Sequence, residues 1–358
     1  MTDYKNLKLI ATSSPHIRGS ERTQTIMLDV IIAMLPALIF ACFHFGLRAL
    51  CLTAVSVAGC MFFEWLYQRV MKKPSSVMDL SSVVTGMLLS FVCPVQMPYW
   101  MILIGDAFAI IIVKQLFGGI GKNFVNPALA GRAVLLASYA GTMTSWVDPA
   151  VNKAAAFGSN VDITTAATPL SYMKGPDAAS IAASFDQLKG TDPAALAESF
   201  GNLTSTYSVQ QMFMGQIGGS LGEVSSLMLI IGGVYLIARK VINWHTPVAY
   251  IGTVAVLTFL FPKAGTSMEW MLYSIFGGGL MLGAFFMATD YATSPVTKKG
   301  QLIFGVGCGL FTVLIRYFGS YNEGVCYSIM VMNLFVALID KYTKPVRFGV
   351  VKKEESGK

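Results

Sequence analysis

Apolar residues gather into ten long blocks along the chain, separated by short polar segments, with no sustained alternation at strand spacing. The blocks cover roughly 26–45, 49–67, 80–93, 99–117, 124–141, 224–238, 246–261, 270–288, 301–318 and 324–340. Most approach the ~20 residues that carry an α-helix across ~30 Å of hydrocarbon, so each is predicted to be a transmembrane helix. The third and sixth are short and must extend, tilt or be sheltered by protein. Five blocks precede and five follow one long polar stretch, from Thr142 to Gly222. The pattern predicts an all-α polytopic membrane protein with a tail over 1–25, a first membrane repeat over 26–141, an insertion over 142–222, a second repeat over 223–340 and a tail over 341–358.

Composition agrees with the pattern. Hydrophobic residues make up 54% and charged residues 13%, against about 25% charged in a soluble domain. About two dozen largely polar residues precede the first block without a short apolar core and small-residue cleavage site, so no removable signal peptide is expected and the first helix serves as the insertion signal. The six cysteines are scattered in or beside apolar blocks and none forms a CxxC pair, which argues against a disulfide framework or zinc site. His16, His44 and His245 are too far apart in sequence to suggest a metal or haem site. The net charge of +7 comes from dispersed residues and not from a basic stripe interleaved with aromatics, so membrane lipid is the expected environment and nucleic acid is not a partner. The many Met and Phe residues suit lipid and helix contacts.

The basic residues also orient the chain, since short cytoplasmic loops retain Lys and Arg. Alternating the ten blocks across a bilayer puts 19 of the 26 on the side of both termini and 6 on the other, with Arg132 inside a block. Both termini are therefore expected in the cytoplasm and the insertion outside it.

An internal repeat follows the five-and-five division. Pro94, Trp100 and the glycine-rich "LFGGIGKNFVNPA" in the first half correspond to Pro262, Trp270 and "MATDYATSPVT" in the second. With an odd number of spans per half, such a repeat has inverted topology, and matched Gly/Pro-interrupted segments point to a binding site at the midplane. They can equally reflect the frequency of Gly and Pro in membrane helices. Ionisable residues within apolar blocks are costly and thus candidates for an ion path or cofactor contact. These are Asp106, the deepest, with Glu64, Arg132 and Asp290. Glu64 and Asp290 lie near block ends and can also simply reach water; Asp106 can also pair with a neighbouring chain of a complex.

In the insertion, "VDITTAATPL" places Asp162, Thr165, Ala167 and Thr168 before Pro169. From the residues alone this is a polar turn whose hydroxyls cap a following helix. The pattern of Asp, two residues, Thr, one residue, Ala and Thr also resembles the flavinylation motif of the NqrB/RnfD family. That family includes RnfD of the Rnf electron-transport complex and NqrB of the sodium-pumping NADH:quinone oxidoreductase. Ala166 stands where the family often has Gly. The resemblance extends to "SSPHIRG" at 13–19, "KQLFGGIGKNFVNPALAGR" at 114–132, "GAFFMATDYATSPVT" at 283–297 and "LIDKYTKP" at 338–345. The short amino-terminal tail is more similar to the Rnf branch of the family.

The resemblance implies a flavin-carrying membrane subunit of an ion-translocating oxidoreductase, coupling electron transfer between ferredoxin and NAD to Na+ or H+ translocation. Thr168 would bear FMN through a phosphoester, and Asp162 and Thr165 would be read by a flavin transferase or position the loop. A noncovalent riboflavin or second flavin is expected near Asn126 and Thr289. The chain has neither a nucleotide fingerprint nor iron–sulfur spacing, so it is not a complete enzyme by itself and no residue of its own is expected to be catalytic. Ferredoxin and NAD sites fall to the C, G, A, E and B subunits of the complex. NqrB is the alternative within the family, and a secondary transporter with inverted repeats is the alternative outside it. A plain transporter has no use for a flavinylation motif.

Overall fold

A computed structural model describes residues 22–146, 168–174, 193–223, 225–319 and 321–344. Asp162 and Thr165, most of both tails and about half of the insertion lie outside the described residues.

Every predicted block is helical. The first half contains α1 (Thr23–Phe45), α2 (Leu47–Val70), α3 (Ser81–Phe91), α4 (Tyr99–Ala107, continuing as a π-helix over Phe108–Gln115) and α5 (Pro127–Ser138). The short α6 (Ala140–Met143), α7 (Pro169–Tyr172), α8 (Pro193–Thr206) and α9 (Val209–Met214) follow. The second half contains α10 (Ser226–Ala238), α11 (His245–Leu260), α12 (Ser267–Phe276), α13 (Leu280–Leu282, continuing as a π-helix over Gly283–Met287), α14 (Lys298–Phe318) and α15 (Val325–Thr343).

Among the described residues, four helices, α1, α2, α14 and α15, are long and apolar enough to cross a membrane, and α12 with α13 makes a fifth candidate bent by 63°. The surface of α1 shows why the surrounding medium is lipid. Leu28, Ile32, Leu35, Ile39 and Phe43 recur at helical spacing and are 40 to 77% exposed, while the smaller Ala33, Ala37 and Ala41 are buried. A continuous stripe of large apolar residues turned outward is tolerated where the medium is itself apolar.

In the first half, α2 packs on α3 and α4; in the second, α11 packs on α12 and α14; across the division α1 meets α10 and α5 meets α15. Small residues permit the close approaches, as a Cβ at Gly232 of α10 would collide with the Ala33 carbonyl oxygen of α1. The short α3 has nine of its 11 residues buried, so it is sheltered by protein. Its neighbouring turn is held by Arg48, whose Nε donates to Val95 O at 3.0 Å.

The eighth block departs from expectation. The apolar pattern predicts one span over 270–288, with the break after it in "MATDYATSPVT"; that break is present between Met287 and Lys298, and the helix breaks a second time inside the block, over Gly277–Gly279. Gly278 has φ of +71°, a left-handed conformation that glycine adopts without Cβ strain. The insertion braces the first half of this broken helix. Phe200 of α8 packs on Trp270 and Tyr273 at ring separations of 5.3 and 5.6 Å, and Tyr273 donates to Tyr207 O at 2.6 Å. Leu170, Leu196, Leu203 and Met212 complete this second core.

Candidate functional site

Two cavities lie against opposite ends of α5. The larger, about 770 Å³, falls within the size range of small-molecule sites. Its walls come from α5, the α6 end, α7, α8, the turn at Gly278 and the approach to α15. Thr168 stands in this wall. Its position follows from local chain chemistry: Pro169 fixes the first helical residue, and Thr168 caps the turn, its Oγ1 accepting from Ser171 N at 3.3 Å. The capping role read from the residues is thus present. Thr168 is half-buried, and Tyr172, Trp146, Tyr321 and Tyr327 line the same cavity.

Arg132, also predicted as a candidate, lies in the cavity wall and is 5% exposed. It joins two residues that the apolar pattern does not single out, Glu223 and Glu323. Its Nη2 donates to Glu323, and Nη1 lies 3.6 Å from Glu223 Oε1. Arg316 is close by; its Nε donates to Glu323 O at 2.9 Å and its Nη1 to Ser274 O at 2.5 Å. Glu223 and Glu323 escape a search for charges within apolar blocks because each falls just outside one. The available signal is that each directly precedes a span.

The smaller cavity, about 300 Å³, is bounded by the start of α1, the turn before α5 and the turn after the second π-helix. Asn123, Asn126, Thr289 and Asp290 all line it. The two Gly/Pro-interrupted segments, separated by more than 160 residues, therefore meet at one cavity, where Asn126 Nδ2 donates to Met287 O at 3.4 Å. Each segment follows a π-helix, a distortion frequent at functional sites. Asn126 also caps α5 through Ala128 N at 3.0 Å.

The remaining ionisable candidates separate. Glu64 does not reach water, contrary to one reading of its position near a block end: it is 0% exposed. It pairs with Lys114 at 2.8 Å and accepts from Gln115 Nε2 at 2.8 Å and Ser76 Oγ at 2.9 Å. A buried charge is retained when its partner and hydrogen bonds are complete, as here. Asp290 is half-buried and accepts from Thr293 Oγ1 at 3.1 Å. Asp106 is fully buried and lines neither cavity. Its Oδ1 accepts from Ser56 Oγ at 2.7 Å and Cys60 Sγ at 3.2 Å, whereas Oδ2 has no partner.

Comparison with known proteins extends over almost the whole chain. Residues 10–349 match the model of the NQR2, RnfD, RnfE family. The chain is 44% identical over 354 residues to the D subunit of the Na(+)-translocating ferredoxin:NAD(+) oxidoreductase complex of Acetobacterium woodii, covering 98% of this chain and 99% of the relative. It is 42% identical over 346 residues to the D subunit of the proton-translocating ferredoxin:NAD(+) oxidoreductase complex of Clostridium ljungdahlii, covering 96% and 97%. It is 36% identical over 341 residues to the D subunit of the ion-translocating oxidoreductase complex of Actinobacillus succinogenes, covering 93% and 96%. With its helical membrane architecture and full-length match, this chain belongs to the NQR2, RnfD, RnfE family.

Proposed function

We propose that this chain is the flavin-carrying membrane subunit of a complex that couples electron transfer between ferredoxin and NAD to ion translocation. The observation that carries the flavin reading is Thr168 in the wall of a 770 Å³ cavity, at the last position of the flavinylation motif. The residues present suit FMN. A threonine hydroxyl can form the phosphoester with loss of water, aromatic walls accept a planar ring, and Arg132 Nε is a buried donor without a partner. Thr168 would hold the phosphate, with Trp146, Tyr172, Tyr321 and Tyr327 around the ring. When bound, the flavin supplies one-electron redox chemistry that no side chain here offers. The covalent link keeps it on the protein at the outer face.

The smaller cavity is the proposed site of a noncovalent riboflavin or second flavin, with Asn123, Asn126 and Thr289 as its polar contacts. The two cavities at opposite ends of α5 support a route for electrons across the protein. Asp106 is the proposed ion-path residue, because its unsatisfied Oδ2 is an acceptor without a buried cation. The C, G, A, E and B subunits supply the ferredoxin and NAD sites, and a flavin transferase modifies Thr168 after reading Asp162 and Thr165. Both termini face the cytoplasm and the insertion faces outward. Relatives named for sodium and for protons are both similar to this chain, so the ion is assigned as Na+ or H+.

The test is in-gel fluorescence of the denatured chain from cells containing the flavin transferase, followed by peptide mass mapping. The expected result is fluorescence in the unaltered chain, FMN minus water on the Thr168 peptide, and loss of both in Thr168→Ala. An unmodified peptide from the unaltered chain would overturn the flavoprotein reading.

A further inference from the structure

The four-residue charge cluster in the larger cavity has an uneven arrangement. Arg132 contacts both carboxylates, whereas Arg316 donates to the carbonyl oxygens of Glu323, Ser274 and Gly277. Two guanidinium and two carboxylate groups leave the ionised cluster neutral. One donor and one acceptor have no hydrogen bond, Arg132 Nε and Glu223 Oε1, the latter held only by the 3.6 Å ion pair with Arg132 Nη1. Both residues are at least nine-tenths buried, and both line the cavity. Buried polar atoms are seldom left without partners, so the arrangement suits a ligand that completes them. The cluster is also fixed in place. A Cβ at Gly279 would collide with Glu223 Oε1, and Arg316 ties the carbonyl end of α12 to the cluster.

We propose that Arg132 sets the reduction potential of the ring bound in this cavity, donating through Nε to its pyrimidine carbonyl edge, while Glu223 and Glu323 limit the positive charge that the ring experiences. This inference rests on the flavin reading above. One electron from a one-electron donor adds one negative charge to the ring, and charge close to a flavin tunes its electronics. Burial weakens dielectric screening, so the effect of neighbouring charges persists. Arg132 therefore favours the reduced ring, and each carboxylate opposes it.

The experiment is a reductive titration of the full chain, co-produced with its flavin transferase, using dithionite and redox mediators while visible absorbance is recorded. The difference from Thr168→Ala assigns the covalent flavin's share of the signal. Arg132→Gln is expected to move that flavin's potential to more negative values, and the isosteric Glu223→Gln to more positive values. Opposite signs from the two sides of one contact distinguish an electrostatic role from a packing role. If Arg132→Gln fails to fold, Glu223→Gln and Glu323→Gln must each still shift the potential upward. Covalent fluorescence in every variant with unchanged potentials, or shifts of one sign in Arg132→Gln and Glu223→Gln, overturns the inference. Absence of covalent fluorescence in the unaltered chain instead brings down the flavin reading on which it rests.

Discussion

Thr168 performs a local task as well as the proposed chemical one, and the two can be separated. Its Oγ1 caps α7, and removing such a cap costs about 1 kcal/mol, confined to a four-residue helix. Thr168→Ser retains a hydroxyl oxygen for the cap and a nucleophile for the ester, so the fold should be unchanged and the extent of flavin attachment reports how strictly the transferase requires a threonine. A serine variant that melts well below the unaltered chain would show that the Thr168 methyl group has a packing role that its half-burial does not suggest. Asp106 permits a second test. Asp106→Asn preserves shape and the Oδ1 acceptor while removing the charge, so the chain should insert and carry flavin normally but lose ion uptake in vesicles containing the assembled complex. Uptake at the unaltered rate would remove Asp106 from the ion path. Thr168, Arg132 and Asp106 were legible as single residues because each broke a pattern, a motif in a loop or a charge in an apolar run. The Arg132 contacts with Glu223 and Glu323 were not, because distant chain segments meet only when the helices pack.

At the scale of elements, the α1–α10 contact depends on the absence of a side chain at Gly232. Gly232→Val forces the two helices apart, and such overpacking typically costs about 1 to 3 kcal/mol. A lower melting temperature in detergent is expected, and no change would mean that the helices relax without loss. The insertion offers a pH test. Burial, with a smaller contribution from Lys263, lowers the Lys174 ammonium to about 8 from its ordinary 10.5. Between those values the unfolded chain binds more protons than the native one, so insertion stability should rise with pH through that window. Lys174→Met should flatten that rise in melting curves from pH 7 to 10; an identical slope in the variant would exclude Lys174 as its source. The ten helical blocks were readable from apolar runs because lipid selects for them directly. The break at Gly277–Gly279 was not, although three successive glycines signalled it, because an apolar run reports burial and not direction.

For the whole molecule, the distribution of basic residues predicts a topology that thiol labelling measures directly. Two of the six basic residues assigned to the outer side, Arg48 and Arg316, are buried and bonded to backbone carbonyls, which sharpens the charge asymmetry between the two faces. In a cysteine-free background, an impermeant thiol reagent applied to intact cells should label Lys189→Cys and leave Lys353→Cys unlabelled. The reverse result would invert the protein in the membrane. The placement of the two cavities on α5 then has an electrical consequence. Pro127 lines one and Arg132 the other, and five residues of helix rise only about 7.5 Å. Where two such hollows admit water from opposite faces of a bilayer, the protein between them is a thin insulator, and a transmembrane voltage falls mainly across the least conducting layer. A charge passing from one hollow to the other would therefore traverse most of the voltage in a fraction of the bilayer's thickness, performing work approaching about 2.3 kcal/mol per 100 mV over that short distance.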